Sequence, residues 1–301
     1  MSVYRAGSLA VQDLVGVRDR ADHVGRSLGQ DIKPVAAAFL ELQPLLIVGA
    51  ADPGNGQVWA APLTGTPGFV RATGLRQMSV GTGTPPAGPL AVALSTPGTP
   101  VGTIALDPRT RRRMRLNGRL RPTARGFAVE ADQVFSNCPK HIQRRDSYEW
   151  VAGREPGPPE HLRQLDTAAT GFIRAADTFF LATAHDAGAD VSHRGGNPGF
   201  VQVVSPHELT WPDYAGNAMF LTLGNLRADP RAGLLLLDWT TGDTLQLTGE
   251  AHAEFTADGA RTVRFTVTQA VRIPAALPLR WSAPEYSPAN PAAGVGEHAV
   301  G

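Results

Sequence analysis

Three donor side chains stand directly before a pair of glycines in the second half of the chain. Ser192, His193 and Arg194 offer a hydroxyl, an imidazole and a guanidinium, and Gly195 and Gly196 follow them. Because glycine has no side chain, the backbone at such a pair can approach a ligand closely. Arginine binds phosphates and other anions through charge-assisted N–H donors. This segment is therefore the first candidate for a ligand site.

A cluster of arginines lies in the first half of the chain. It consists of Arg111, Arg112, Arg113 and Arg115, all within one short stretch. These side chains could supply positive charge to a ligand. The same run is also typical of a solvated strand and turn, so its composition alone does not decide between the two interpretations.

A block of polar donors follows the strand that we predict over residues 126–135. It contains Asn137, Lys140, Gln143 and Arg145. Donors placed directly after an apolar strand suit the rim of a cleft. The alternative is structural: Asn137 could cap a helix with Pro139 in its first turn.

Composition excludes several classes of protein. The chain has 301 residues, 42% of them hydrophobic and 18% charged, which predicts a globular protein of one large or two modest domains. A formal net charge of +1 gives no general attraction for nucleic acid. No apolar segment is long enough to cross a bilayer and the first residues do not resemble a signal peptide, so we expect a cytoplasmic protein without a membrane partner. A single cysteine excludes an intrachain disulfide and a cysteine-based metal cluster.

The chain contains an internal repeat. Three blocks of the first half recur in the same order in the second: residues 39–52 match 172–185, residues 65–70 match 196–201, and residues 102–118 match 233–249. The offsets between the blocks are 133, 131 and 131 residues. Ordered blocks at a nearly constant offset indicate that one unit was duplicated.

Each copy reads as a series of short strands separated by turns rich in Gly, Pro, Asp and Thr. In the second copy the six strand candidates are residues 179–184, 200–204, 218–223, 233–239, 244–255 and 262–271. Helices are predicted over residues 34–42 and 159–176. The fold class is therefore mainly β with flanking helices: two tandem split β-barrels that form a pseudo-twofold dimer within one chain. We expect an N-terminal lobe at residues 1–152, a C-terminal lobe at residues 153–281 and a flexible tail at residues 282–301.

With these blocks assembled, the sequence resembles the pyridoxamine 5'-phosphate oxidase-like flavoproteins, the FMN-binding split-barrel family, and in particular their two-lobed branch. In the second half the likeness is carried by SHRGGNPGFVQV at residues 192–203, FLTLGNLRADPRAGLLLLDW at 220–239 and LQLTGEA at 245–251. In the first half it is carried by GTPGFV at 65–70, the arginine run that ends at Gly118, and NCPKHIQRR at 137–145. The resemblance implies two paired six-stranded split barrels with FMN in the groove between them.

The resemblance also implies which residues would bind the cofactor. Arg194 would hold the FMN phosphate, with Ser192, His193 and Gly195 beside it. In the family a turn after a strand such as residues 220–223 also contacts phosphate, which transfers onto Thr222, Gly224 and Asn225. That turn is usually longer and contains Ser, Arg and Lys, so this chain departs from the pattern. For His193 the alternative interpretation is a histidine that only satisfies a buried carbonyl.

Alignment of the two copies divides these donors between the lobes. Pro62 and Leu63 stand opposite His193 and Arg194, whereas Arg113 has no cationic counterpart in the second copy. We therefore predict one composite cofactor site per chain, with Arg113 reaching across the cleft to the second lobe. Asn137 and Lys140 would complete its rim.

These features predict an FMN-dependent oxidoreductase. The flavin would accept electrons from NAD(P)H or a reductase and pass them to oxygen, a small acceptor or a small-molecule substrate. No catalytic side chain can be named from the sequence. The alternative is a non-catalytic flavin, deazaflavin or haem binding protein that acts as a carrier or sensor, and the chain could be a monomer or a homodimer. A G-x-S-x-G match at residues 25–29 lacks the preceding strand that a serine hydrolase requires.

Overall fold

Three short helices open the chain. They are α1 (Ala6–Leu14), α2 (Arg18–Gly25) and α3 (Pro34–Glu41). The computed structural model describes residues 3–82, 88–136, 139–185, 188–257 and 259–291. Pro34 is the first residue of α3, where its missing N–H leaves no helical hydrogen bond unmade. Within the described ranges, no helix is both long and apolar enough to span a membrane.

The first sheet follows these helices and contains seven antiparallel strands. They are β1 (Leu45–Ala51), β2 (Val58–Thr64), β3 (Val70–Gly74), β4 (Gln77–Gly81), β5 (Pro100–Asp107), β6 (Arg112–Thr123) and β7 (Gly126–Ser136). A short helix, α4 (Ala91–Ser95), connects β4 to β5. The strand order is β2-β1-β5-β6-β7-β4-β3.

The second sheet begins after a connection made of β8 (Tyr148–Trp150), β9 (Glu160–Leu162) and α5 (Thr167–Ala175). Its strands along the chain are β10 (Thr178–His185), β11 (Gly188–Gly195), β12 (Gln202–Ser205), β13 (Glu208–Pro212), β14 (Arg231–Leu237), β15 (Thr244–Phe255) and β16 (Arg261–Ile273). Helix α6 (Leu221–Ala228) connects β13 to β14, and β17 (Leu279–Trp281) ends the series by pairing with β8.

The two sheets share one topology. The second sheet runs β11-β10-β14-β15-β16-β13-β12, which is the order of the first sheet strand for strand, and β9 is added beside β16. Each sheet also has a register shift at the equivalent point, between Asn117 and Gly118 and between Thr248 and Gly249. The predicted mainly β fold with flanking helices is confirmed, and each sheet stays open between its two edge strands.

The sheets pack against each other through two equivalent close contacts. A Cβ on Gly102 of β5 would lie 2.5 Å from the Cα of Asp190 on β11. A Cβ on Gly233 of β14 would lie 2.5 Å from the carbonyl oxygen of Val58 on β2. Because β5 corresponds to β14 and β11 to β2, the two contacts are related by an approximate twofold axis. Only glycine lets the backbones approach this closely.

An apolar core fills the space around these contacts. It includes Ile47 and Ile104 from the first sheet and Phe180 and Leu235 from the second, all fully buried. Since burial of apolar side chains is the main stabilising contribution to packing, this shared core fixes the two sheets relative to each other. Any side chain at its edge is therefore positioned by both sheets.

Two of the predicted elements are wrong. The strand predicted over residues 218–223 is the start of α6, and the helix predicted over 159–176 begins only at Thr167. The side chain of Asp166 caps that helix by accepting from the backbone N–H of Ala169 at 2.7 Å. A short apolar run such as AMFLTL does not distinguish a strand from a buried helix.

The expected flexible tail also needs correction for residues 282–291, which we call the C-terminal strap. Its residue Glu285 forms a β-bridge with Arg144, and Ser287 is buried. The strap therefore packs on the polar block that follows β7. The remaining residues of the predicted tail, 292–301, lie outside the described residues.

Candidate functional site

A cavity lies at the edge of the shared core, between the two sheets. Its wall takes Arg113 and Arg115 from β6, and Lys140 and His141 from the polar block after β7. From the second sheet it takes Ser192, His193, Arg194 and Gly195 of β11 and much of the segment 212–223. We call this space the central cavity. Its volume is about 110 Å³.

Of the described residues that line the central cavity, four carry cationic side chains and Asp213 is the one carboxylate. The cations are Arg113, Arg115, Lys140 and Arg194. Arg115 is neutralised by an ion pair with Asp190, outside the lining. The remaining charges leave the cavity positive, which favours an anionic ligand.

His193 is buried in the wall of the central cavity and packs edge-on against Phe180. Its Nδ1 lies 2.9 Å from a terminal guanidinium nitrogen of Arg113. Arginine can only donate, so Nδ1 accepts and the ring carries its proton on Nε2. Burial lowers the pKa of His193 well below its ordinary value, and the nearby Arg113 and Arg194 lower it further. The ring is therefore neutral at pH 7.

The Nε2–H group of His193 has no hydrogen-bond partner among the described residues, although the atom is buried. A buried donor without an acceptor costs about 1–3 kcal/mol. A ligand that places an acceptor in the central cavity would recover that energy. The alternative interpretation was that His193 donates to a buried carbonyl. Among the described residues, neither ring nitrogen of His193 does so.

Arg194 shares a carboxylate with a second arginine. Its guanidinium lies 3.2 Å from Asp213, and Arg261 of β16 lies 3.3 Å from the other oxygen of the same carboxylate. Arg194 also donates to the carbonyl of His193 at 3.3 Å, and its Nε has no partner among the described residues. One carboxylate between two guanidinium groups leaves a net positive charge beside the cavity.

A buried ion pair connects the sheets at the base of the cavity. Arg115 of β6 pairs with Asp190 of β11, and the side-chain amide of Asn117 donates to the same carboxylate at 2.9 Å. The guanidinium of Arg115 also lies over the ring of Phe135, 4.7 Å from its centroid. Burial lowers the pKa of Arg115, and the charge of Asp190 opposes that shift. This pair holds the two sheets in register at the site.

Backbone strain is concentrated around the cavity. His141, Ala218 and Phe220 have left-handed φ angles of 63°, 64° and 53°. Residues other than glycine rarely adopt such angles, and they cluster at functional sites. The ring of His141 lies against that of Tyr214, with centroids 4.9 Å apart.

The structure brings most of the predicted cofactor residues together. Seven of them line the central cavity: Arg113, Lys140, Ser192, His193, Arg194, Gly195 and Thr222. The hydroxyl of Ser192 donates to the carbonyl of Leu181 at 3.4 Å. Asn137 lies outside the described residues.

Gly224 and Asn225 do not line the central cavity. A Cβ on Gly224 would lie 2.4 Å from the backbone nitrogen of Ser8, so its small size serves the packing of α1 on α6. The side-chain amide of Asn225 donates to the hydroxyl of Thr183 at 3.0 Å. The segment is a helix and not the predicted turn, which turns both positions away from the central cavity.

At the twofold-equivalent position, the part of the chain that the structure describes has no cationic counterpart of Arg194 or Arg113. Leu63, the counterpart of Arg194, is buried in the apolar core of the first sheet together with Val271 and Ile273. Thr244, which aligns with Arg113, is fully buried and uncharged. The strand pairing agrees with the alignment of the copies, since Phe179 pairs with Arg194 as Leu46 pairs with Leu63.

Sequence reasoning missed Asp190, Asp213 and His141. Asp190 and Asp213 stand alone among apolar or aromatic neighbours, and their arginine partners are distant in the sequence. His141 belongs to the polar block that was predicted to line a cleft. Its neighbours Lys140 and Gln143 could therefore have indicated that His141 lines the cleft as well. Only the pairing of the sheets brings the three residues to one place.

Fold and site together define a mainly β protein of two like sheets with a cationic cavity between them. Residues 165–291 match the family model described as Pyridoxamine 5'-phosphate oxidase. The second half of the chain is therefore similar to this family, and the resemblance predicted from the sequence is confirmed. No curated protein matches the chain.

Several solved structures are similar to part of the chain. A protein from Lactobacillus delbrueckii, assigned as a pyridoxamine 5'-phosphate oxidase, is 12% identical, with a TM-score of 0.30, and the match covers 36% of this chain and 94% of that one. A FAD-binding protein from Mesorhizobium loti is 13% identical, with a TM-score of 0.30, over 39% of this chain and 96% of that one. A pyridoxinephosphate oxidase family protein from Clostridium acetobutylicum is 9% identical, with a TM-score of 0.27, over 35% of this chain and 84% of that one.

Proposed function

We propose that the protein binds one FMN per chain in the central cavity and acts as a flavin-dependent oxidoreductase. The observation that carries this proposal is the buried, unpartnered Nε2–H of His193 in a cavity lined by Arg113, Lys140 and Arg194. A phosphate group supplies the acceptor that this donor lacks and the negative charge that the three cations favour.

The donor set fits a phosphate better than a whole flavin. The volume of about 110 Å³ is below the roughly 300–1,000 Å³ of pockets that enclose a drug-sized ligand. A larger groove of about 640 Å³ adjoins the cavity and shares Gly216, Ala218 and Phe220 with it. Its wall is mostly apolar and includes Phe255 and Val17. The groove thus offers the apolar surface that a flavin ring requires.

The chemistry of the reaction would come from the flavin, which accepts and donates electrons as hydride or singly. This chain would contribute binding and orientation. Arg113, Lys140 and Arg194 would hold the phosphate, His193 would donate to it through Nε2, and Ser192 would keep β11 in place through Leu181. The ion pair of Arg115 with Asp190 would hold the halves of the site together.

The first test is an absorbance spectrum of the purified protein, followed by anaerobic addition of NADPH or NADH. We expect the two near-ultraviolet and visible bands of an oxidised flavin and their bleaching by at least one nicotinamide donor. A flavin spectrum that neither donor bleaches would contradict the oxidoreductase and leave a carrier or sensor. Release of FAD or a deazaflavin on heating, or a Soret band, would contradict FMN as the cofactor.

A further inference from the structure

The C-terminal strap contacts a buried amide, the side chain of Gln143, beside the central cavity. The side-chain nitrogen of Gln143 faces three backbone carbonyls, which can only accept, and its two N–H groups are shared among them. They belong to His141, Asp177 and Gly196, at 3.2, 3.3 and 3.1 Å. The amide oxygen of Gln143 therefore faces the strap, where it accepts from the backbone N–H of Ser287 at 2.8 Å and from the side chain of Asn290 at 3.1 Å.

Asn290 is fixed in the same way. Asn197 donates through its side-chain nitrogen to the carbonyl of Pro291 at 3.0 Å, so its amide oxygen accepts. The side-chain nitrogen of Asn290 donates to that oxygen at 3.0 Å and to Gln143. Both N–H groups of Asn290 are thus used, and its Oδ1 is left as an acceptor.

This acceptor fixes the tautomer of His141. The Oδ1 of Asn290 lies 3.2 Å from Nδ1 of His141, so Nδ1 carries the proton. The other ring nitrogen, Nε2, then has a lone pair. Burial lowers the pKa of His141, the bond to Asn290 opposes this shift, and the charges of Lys140, Arg113 and Arg194 lower the pKa further. The ring is neutral at pH 7.

The two histidines of the cavity therefore have opposite tautomers. His193 carries its proton on Nε2 because Nδ1 accepts from Arg113, whereas His141 carries its proton on Nδ1. They are neighbours, since a Cβ on Gly195 would lie 2.0 Å from the carbonyl oxygen of His141 and 3.0 Å from Cε1 of His193. Both residues line the central cavity, and one ring has a donor Nε2–H while the other has an Nε2 lone pair.

We propose that His141 and His193 form a complementary pair that binds a phosphate monoester together with one proton. Nε2–H of His193 donates to a phosphate oxygen, and Nε2 of His141 shares the proton of a second oxygen. No proton is created or lost: the ligand brings it as a P–OH group, or solvent supplies it to His141 as a dianion binds. This inference rests on the proposed function, because it takes the FMN phosphate as the ligand.

The charged groups around His141 make its protonation depend on the bound phosphate. Without ligand, Lys140 on its own segment, Arg113 on β6 and Arg194 on β11 oppose protonation of the ring. Tyr214 stacks on it, and Asp213 is shared by two arginines. A phosphate dianion offsets the three cations, so protonation of His141 becomes favourable only when the phosphate is bound.

Isothermal titration calorimetry with FMN, in buffers of different ionisation enthalpy, measures this proton. A phosphate monoester has a second pKa of about 6, so about nine tenths of it is dianionic at pH 7 and about half at pH 6. We expect uptake of about 0.9 proton per FMN at pH 7 and less at pH 6, where more of the ligand already carries the proton. Riboflavin, which has no phosphate, should bind without uptake.

His141→Asn is the matched variant, because asparagine tolerates a left-handed φ and cannot take up a proton at neutral pH. Its proton uptake with FMN at pH 7 should fall to near zero. Unchanged uptake in the variant, or none in the unmodified chain, would overturn the proposal. Binding of phenyl phosphate with uptake but not of FMN would support the proposal while contradicting the proposed function. Failure of both phosphates to bind would overturn both.

Nitrogen-15 NMR of the imidazole rings tests the two tautomers in the unliganded full chain. This measurement does not depend on whether His141→Asn folds. We expect His141 as the Nδ1–H form and His193 as the Nε2–H form. Asn290→Ala removes the acceptor of Nδ1–H, so His141 should lose its single-tautomer signature while His193 keeps its own. An Nε2–H signature for His141 in the unmodified chain would overturn the proposal.

Discussion

Replacing Asp190 by Ala is expected to lower the free energy of unfolding by about 3–5 kcal/mol. Asp190 and Arg115 are both almost completely buried, and the carboxylate also accepts from Asn117. Removal of the carboxylate leaves a guanidinium between the sheets without its counter-charge. The measurement is equilibrium unfolding in urea, followed by fluorescence of the five tryptophans.

The control for this change is Glu149→Ala. Glu149 pairs with Arg280 at 2.9 Å, but both side chains are about half exposed. Exposed pairs contribute about 0–1 kcal/mol, so the loss should stay below about 1 kcal/mol. Similar losses for the two variants would show that the Asp190 pair does not hold the sheets together.

Replacing Arg194 by Ala is expected to abolish retention of FMN through purification. A hydrogen bond to a charged group contributes about 1.5–3 kcal/mol, so the Kd should rise by about 10- to 100-fold or more. The reason is that the phosphate loses a guanidinium that lines the cavity and that has a buried Nε without a described partner. Fluorescence titration of the variant with FMN gives the Kd.

The control for this change is Arg261→Ala. It distinguishes binding of FMN by Arg194 from the pairing of Arg194 with the carboxylate of Asp213. Arg261 contacts Asp213 at 3.3 Å as Arg194 does at 3.2 Å, but it lines the adjoining groove and not the central cavity. This variant should weaken FMN binding less than Arg194→Ala does, because it removes a contact at the wall of the groove proposed for the flavin ring and leaves the phosphate ligands in place. If both variants lose FMN equally, the effect comes from the loss of pairing with Asp213, and Arg194 is not a phosphate ligand.

The repeat predicted from the sequence made much of the fold predictable, and the two sheets share one strand order. The strands β10, β14, β15 and β16 were expected from apolar runs bounded by turn residues, and the structure places them close to those bounds. The strand β11 was not expected, because GADVSHRG has few strongly apolar residues. It is a strand because β10 pairs with it along its whole length and because it packs on the glycine of β5. Neither contact is visible in the local sequence.

The site was predictable where chemistry is local. A run such as Ser192 to Gly195 can be recognised from its own residue types, and Arg113 from comparison of the copies. Helix α6 was not, since it starts from Phe220 in a left-handed conformation without a side-chain cap. Its position depends on α1, more than 200 residues earlier, which contacts Gly224. The tautomer of His141 depends on Asn290, in a segment that composition had marked as a tail.

The number of FMN molecules bound per chain tests the central claim most directly. The structure has a cationic cavity on one side of the pseudo-twofold axis and, at the equivalent position, Leu63 in an apolar core. Saturation with FMN, removal of free ligand and quantification of the FMN released by heat should give one per chain. Two per chain would contradict the composite site, and none would contradict the assignment of the central cavity to FMN.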